Sequence, residues 1–232
     1  MRCAIPLRSG LEALYRLRVE RAAAGHCREQ SVAVVVQRMP KLYLIRHAHP
    51  AAGWGEDADP GLDATGWQQA EAAARTVERT LDCMPIYTSP LRRCRETARP
   101  LERLWQRPAE ALEPVAELPS PPLPLRAARQ EWLRQAMRGT WCELNDLAPA
   151  GSPDYIAWRQ ALLDSLDRLP QTSVVFSHFI AINVAVGAAL SREDVVCFWP
   201  DHASITCVEA ENGGLRLVDL GRQADTTVLA RG

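Results

Sequence analysis

Apolar and polar positions switch between two spacings along this chain, and the switching predicts its elements. From Met39 onward, "KLYLIR" (41–46) reads as a buried strand and "TGWQQAEAAARTVERTL" (65–81) as an amphipathic helix. "PIYTS" (85–89) reads as a short strand, and "PLRRCRETARPLERLW" (90–105) as a helix interrupted by Pro100. "PVAELPSPPLPLR" (114–126) is too proline-rich for regular structure, and a helix is expected around "AARQEWLRQAMR" (127–138). Another helix runs through "PDYIAWRQALLDSLDRL" (153–169), followed by the strand "SVVFSH" (173–178) and the helix "FIAINVAVGAAL" (179–190). The chain closes on "SITCVEA" and "LRLVDLG", two strands joined by "ENGG", a hairpin signal. Strands alternating with helices predict an α/β domain: a three-layer α/β/α sandwich around a mostly parallel sheet.

The first 38 residues stand apart from this pattern. They hold seven Arg against three Glu, about +4 in a chain of net charge −1, and "SGLEALYRLRVERAAAGHCREQ" reads as an Arg-rich helix. Residues 1–38 are therefore expected to be an N-terminal extension, either an appended or disordered segment or the product of a misassigned start with Met39 as the true first residue; 39–232 form the main domain. Intact-mass measurement of the native protein separates the two origins.

Composition removes several classes of function. With 47% hydrophobic and 24% charged residues, the chain has the material for a sizeable globular core, which excludes fibrous and disordered classes. The residues after 38 carry about −5, so no basic stripe supports a nucleic-acid partner. The longest nearly apolar run, 179–190, falls short of the roughly 20 residues that cross a bilayer, and no signal-peptide core precedes a small-residue cleavage site. No membrane partner and a cytoplasmic location are expected. Seven cysteines without a C-x-x-C pair argue against a disulfide framework or a structural zinc site.

In a sheet of this kind ligands bind beyond the carboxyl ends of the strands. Arg46, His47 and His49 follow the first strand, and His178 ends "SVVFSH". The junction "YTSPLRR" passes through Ser89 and Pro90 into a helix with Arg92 and Arg93 in its first turn. Backbone N–H groups there face an anion, and the helix dipole adds partial positive charge. Cations converging on a helix N-terminus suit a phosphate.

"LIRHA", "YTSPLRRCRETA" and "FSH", in that order, resemble the histidine phosphatase superfamily, also called the phosphoglycerate mutase-like family, over roughly residues 40 to 220. Arg46 and His47 match its R-H-G signature with Ala48 at the glycine. Ser89, Pro90, Leu91 and Arg93 match S-P-L-x-R-A with Cys94 at the alanine, and His178 matches S-H-G with Phe179 at the glycine. "HASIT" resembles N-A-S-I-T, with His202 at the Asn position.

The resemblance implies a phosphoglycerate mutase-like fold, no metal or other cofactor, and His47 as a nucleophile that becomes phosphorylated. It implies Arg46, Arg93 and His178 as phosphate ligands, His178 sharing in catalysis. It also implies an acid about 25 residues beyond the second Arg, which falls at Glu117 in "VAELPSP". Pro119, Pro121 and Pro122 there replace the family's glycine-rich context.

Other residues have two readings. His49 either contacts substrate or begins a loop; Arg92 either contacts substrate or is a solvated helix residue; His202 either contacts ligand or orients the loop beside His178. Arg126 and Arg129 are candidates for a substrate-reading cap, Trp132, Trp141 and Trp158 for core, and His26 lies outside the catalytic pattern. The resulting expectation is a metal-independent phosphatase acting on a small phosphorylated metabolite, its oligomeric state open. A mutase-type phosphotransferase, a phosphohistidine-protein phosphatase and a non-catalytic phosphate-binding module remain alternatives. A metallohydrolase built on His47, His49, His178, His202 and Asp57 or Asp59 would leave Arg46 and Arg93 unexplained.

Overall fold

A computed structural model of the protein describes residues 39–53, 57, 59–211 and 213–224. The expected Arg-rich helix and His26 lie outside the described residues. Six strands form one sheet: β1 (Lys41–Arg46), β2 (Ile86–Thr88), β3 (Glu110–Ala111), β4 (Ser173–Ser177), β5 (Ile205–Glu211) and β6 (Gly214–Asp219). Their order is β3-β2-β4-β1-β5-β6. The first four pair in parallel, whereas β5 runs antiparallel to both β1 and β6, so the sheet is mixed. The two terminal strands form the hairpin that "ENGG" predicts, β5 docking on β1 and β6 on β5.

Alternating side chains of the central strands feed two cores. Leu42, Leu44 and Val175 pack with α3 (Arg126–Ala136), α4 (Trp141–Asp146), α5 (Tyr155–Asp167) and α6 (Phe179–Ala189). Ile45, Val174 and Phe176 face α1 (Ala64–Thr80) and α2 (Arg92–Trp105). The period of two that places successive side chains on opposite faces thus builds the three-layer sandwich. Trp132, Trp141 and Trp158 belong to the first core, where Trp141 and Trp158 lie 5.9 Å apart.

Local chemistry sets the element ends. Asp63 caps α1, its Oδ1 accepting from the Gly66 N–H at 2.7 Å. Gly66 admits no side chain, because a Cβ there would lie 2.1 Å from the His49 carbonyl oxygen. Thr140 and Glu143 close a capping box over α4, a short helix absent from the expected elements, as is the two-residue β3. Contrary to the expected interruption, α2 continues through Pro100. The ring forgoes one i→i−4 hydrogen bond but is buried among Ala98, Leu101 and the rest of the inner face, which holds the helix together.

Candidate active site

The parallel register of β1 and β4 determines which side chains meet at the sheet's carboxyl edge. Arg46 pairs with Ser177, so the residues that follow, His47 and His178, emerge side by side with ring centroids 5.3 Å apart. The ladder extends beyond the strands: the His47 N–H donates to the Ser177 carbonyl at 2.9 Å, and the Ser89 N–H to the Phe176 carbonyl at 2.9 Å. Three strand ends are thereby tied together, bringing the head of α2, with Arg93, to the same edge.

A cavity of about 1350 Å³ opens there. Its described lining includes Arg46, His47, His49, Arg93, Glu117, Arg129 and His202, but neither Arg92 nor His178. Arg92 turns aside: its Nε donates to Glu96 at 2.8 Å, and its backbone N–H to Asp59 at 2.7 Å. Glu96 is buried and also accepts the Leu62 N–H at 2.7 Å, so Arg92 balances a structural carboxylate. His178 is fully covered, its Nε2 lying 2.7 Å from the Ser89 hydroxyl and 3.3 Å from the Cys94 sulfur. Cys94, at the motif's alanine position, fills the space beside it. Burial pushes that thiol far up, so it stays protonated.

His47 has a defined tautomer. Its Nδ1 lies 2.9 Å from the Ala48 carbonyl oxygen, an acceptor only, so Nδ1 carries the hydrogen and Nε2 keeps the lone pair. Burial, reinforced by the Arg46 and Arg93 guanidiniums, holds its pKa well below the ordinary imidazole value. The same influences keep His178 neutral. His202 donates from Nδ1 to the His47 carbonyl at 3.2 Å, and burial beside Arg46 lowers it to about 4. His49 is exposed, meets Asp63 Oδ2 at 3.0 Å and stands edge-on to His202 at 5.1 Å. Four imidazoles thus form a file from the buried His178 to the rim.

Arg46 is clamped from two sides. One Nη donates to the Pro200 carbonyl at 2.9 Å, and the guanidinium lies 5.1 Å from the Phe179 ring centroid. Its Nε is buried and has no hydrogen-bond partner among the described residues. Burial lowers its pKa to about 10, leaving it protonated at neutral pH. A buried N–H with nothing to donate to is costly, and an oxyanion in the cavity would satisfy it.

Glu117 hangs from two backbone donors, Leu118 N–H at 3.0 Å and Ile180 N–H at 3.1 Å, both on Oε1. Oε2 has only a long 3.5 Å contact with the Ile180 N–H. Burial raises its pKa against the opposing pull of these donors and of Arg93 and Arg46. Oε2 is the oxygen with room to carry a proton.

Ala48 fits where glycine is usual because the backbone there does not enter the left-handed region. Its N–H donates to Thr97 Oγ1 at 3.0 Å, and its methyl packs with Leu62, Ala70 and Ala73. Ala203, after His202, does take a left-handed φ of 54°. Sequence reasoning passed over Thr97 and also Asn183. The Asn183 side chain accepts the Cys197 and Phe198 N–H groups at 2.7 and 3.0 Å and donates to the Phe179 carbonyl at 3.0 Å. A lone Asn within an otherwise apolar helix was the available signal.

Among the described residues no three His, Cys, Asp or Glu side chains converge as metal ligands. The family model for histidine phosphatase superfamily, branch 1, matches residues 42–223. The chain belongs to this superfamily. Membership supports phosphatase activity of the histidine phosphatase type. No curated protein matches it significantly.

Solved histidine phosphatase-fold structures cover nearly their whole length with this chain. A variant of phosphoserine phosphatase from Entamoeba histolytica in complex with phosphoserine superposes with a TM-score of 0.62 at 21% identity, covering 79% of this chain and 97% of its own. The same organism's phosphoserine phosphatase with 3-phosphoglyceric acid gives 0.61 at 21% identity, covering 80% and 98%. The alpha-ribazole phosphatase of Shigella flexneri gives 0.63 at 21%, covering 79% and 97%. At these identities the shared property is the fold.

Proposed function

We propose that the protein hydrolyses a small phosphomonoester without a metal, through a phosphohistidine on His47. The observation that carries this reading is the hydrogen bond from His47 Nδ1 to the Ala48 carbonyl. It directs a neutral, bare Nε2 into a cavity that also receives Arg46 and Arg93.

Nε2 attacks phosphorus, the N–P bond forms, and the P–O bond to the leaving alkoxide breaks as Glu117 Oε2 gives that oxygen its proton. The phosphorylated ring carries positive charge, which the Nδ1–H bond to Ala48 disperses. Arg46 and Arg93 meet the equatorial oxygens, the Arg46 Nε gaining its missing acceptor. His178, neutral, covered and held by Ser89, stands behind His47 and positions it rather than touching the phosphate. Water then attacks phosphorus, the N–P bond breaks, and Glu117 takes the water's proton. Orthophosphate leaves and the starting state returns. The Arg46 and Arg93 guanidiniums supply the positive charge that a metal supplies elsewhere.

His47→Ala is expected to lower kcat at least about 10³-fold, the scale of losing a covalent route, and to abolish labelling by ³²P-phosphate ester in acid-free quench. Full rate in that variant would overturn the nucleophile assignment. Activity surviving EDTA and blocked by vanadate is the companion expectation. Loss on chelation, restored by a divalent ion, would refute metal independence.

No helix among the described residues is long and apolar enough to cross a membrane. The five described cysteines, all free thiols, are in keeping with the proposed cytoplasmic location. No nucleic-acid partner enters the reaction; the ligand is a phosphorylated metabolite.

A further inference from the structure

Beyond the phosphate end the cavity changes character. Leu118, Leu123, Leu133, Met137, Phe179 and Trp199 line it, carried by the 114–126 segment, α3, the head of α6 and the 197–199 turn. Leu123, Leu133, Met137 and Trp199 are only part-buried, each resting on the main core and presenting its remaining surface to the cavity.

This wall is fixed in place. The Tyr155 hydroxyl donates to the Pro119 carbonyl at 3.3 Å, and the Leu123 N–H to the Pro121 carbonyl at 2.8 Å. Arg129, the cation on this side, directs one Nη to the Leu123 and Pro124 carbonyls at 2.7 and 3.3 Å. That Nη staples the segment to α3 and is spent on backbone. Trp132 stacks near Tyr155 at 5.5 Å beneath it. Five prolines in the segment further limit its freedom, so little ordering is lost when a ligand seats.

Charge is distributed unevenly around the opening. Asp57, Asp63 and His49 lie on the 49–63 rim, and Asp201 beside His202, while the 118–137 wall offers a largely apolar surface with Arg129 as its cation. A leaving group rich in charged or polar groups would lose its water against the Leu118, Leu133, Met137 and Phe179 surface and gain few partners there, which is costly. The cavity also far exceeds what phosphate alone fills, being larger than the roughly 300–1,000 Å³ of ordinary small-ligand pockets.

We infer that the substrate is the phosphomonoester of an apolar alcohol or phenol, ring-sized or larger, whose carbon skeleton seats on the Leu118–Met137 wall. This selectivity rests on the phosphatase reading of the same site. A polar amino-acid or sugar-acid phosphate is disfavoured. The wall removes the carbon skeleton from water, and the phosphate end holds the dianion; each acts on its own part of the ligand.

The test separates binding from turnover by using alkylphosphonates, whose P–C bond cannot be hydrolysed. Calorimetric affinities of ethyl-, butyl- and hexylphosphonate for the full chain should rise about two- to fourfold per added methylene, so that hexyl exceeds ethyl by at least about tenfold. In Leu133→Asp and Met137→Asp, checked for native circular dichroism, the ladder should flatten. Ethyl to hexyl phosphate esters, whose alcohols have nearly equal pKa values, should show the same ladder in kcat/KM.

Equal or falling affinity along the phosphonate series, or no binding of any member, overturns the inference. A phosphonate ladder without phosphate release from any ester keeps the wall and refutes phosphatase turnover. Turnover with no ladder does the reverse.

Discussion

At the scale of single residues, Glu117 is the group whose chemistry is most exposed to test. Its two N–H contacts favour the carboxylate and its burial the acid, and burial prevails. Because its pKa is raised, the proton needed for the leaving group is present at low pH and lost as pH rises through that value. His47, the proposed nucleophile, has a lowered pKa and stays neutral far to the acid side. Wild-type kcat on an alkyl phosphate should therefore fall at its alkaline limb, and Glu117→Gln should remove that limb. The variant should lose about 10²–10³-fold on alkyl esters but less than about tenfold on nitrophenyl phosphate, whose leaving group hardly needs the proton. Equal losses on both substrates would remove Glu117 from the acid role.

At the scale of elements, the cap of α1 both ends a helix and steadies the rim. Asp63 uses one oxygen on Gly66 and the other on His49, so Asp63→Ala should lower the urea midpoint of unfolding, as loss of an N-cap does. A variant as stable as the parent would show that the cap is replaced by solvent. Most elements were legible from their spacing, because β1, β4, α1 and α5 each keep one period long enough to register. The strand β3 escaped because two residues carry no period, and its pairing with β2 is supplied by tertiary contact. Helix α4 escaped although Thr140-x-x-Glu143 is a capping-box pattern; Trp141 and Leu144 gave too short an apolar face to be noticed. The phosphate end of the site was readable since Arg46, His47 and Arg93 sit at fixed offsets from strand ends. The diversion of Arg92 to Glu96 was not readable, because it depends on Leu62 arriving from a distant loop.

At the scale of the whole molecule, three neutral imidazoles make folding sensitive to acid. His47, His178 and His202 each have a folded pKa below the unfolded value of about 6.5. Above that pH neither state is protonated and the groups are silent. As pH falls below it, the unfolded chain binds protons that the folded chain refuses, so stability declines, by up to about 1.4 kcal/mol per pH unit for each histidine. For His202 the decline runs from about 6.5 down to about 4. Thermal melts from pH 7 to 4.5 should show this loss. His202→Asn, which keeps a donor for the His47 carbonyl, should make the slope shallower by close to one proton. An unchanged slope would mean that His202 is protonated in the fold.

Glu117 and Leu118 are neighbours in the chain, and a single N–H, that of Leu118, joins the acid to the first side chain of the apolar wall. One uninterrupted stretch of backbone therefore carries both the proposed proton donor and the surface proposed to sort leaving groups. A mutation that reshapes the wall at this point also displaces the acid, so selectivity and rate cannot drift independently there. Evolution of a new preference in this protein has its cheaper route through α3, at Leu133 and Met137, where the wall can change while the acid stays in place.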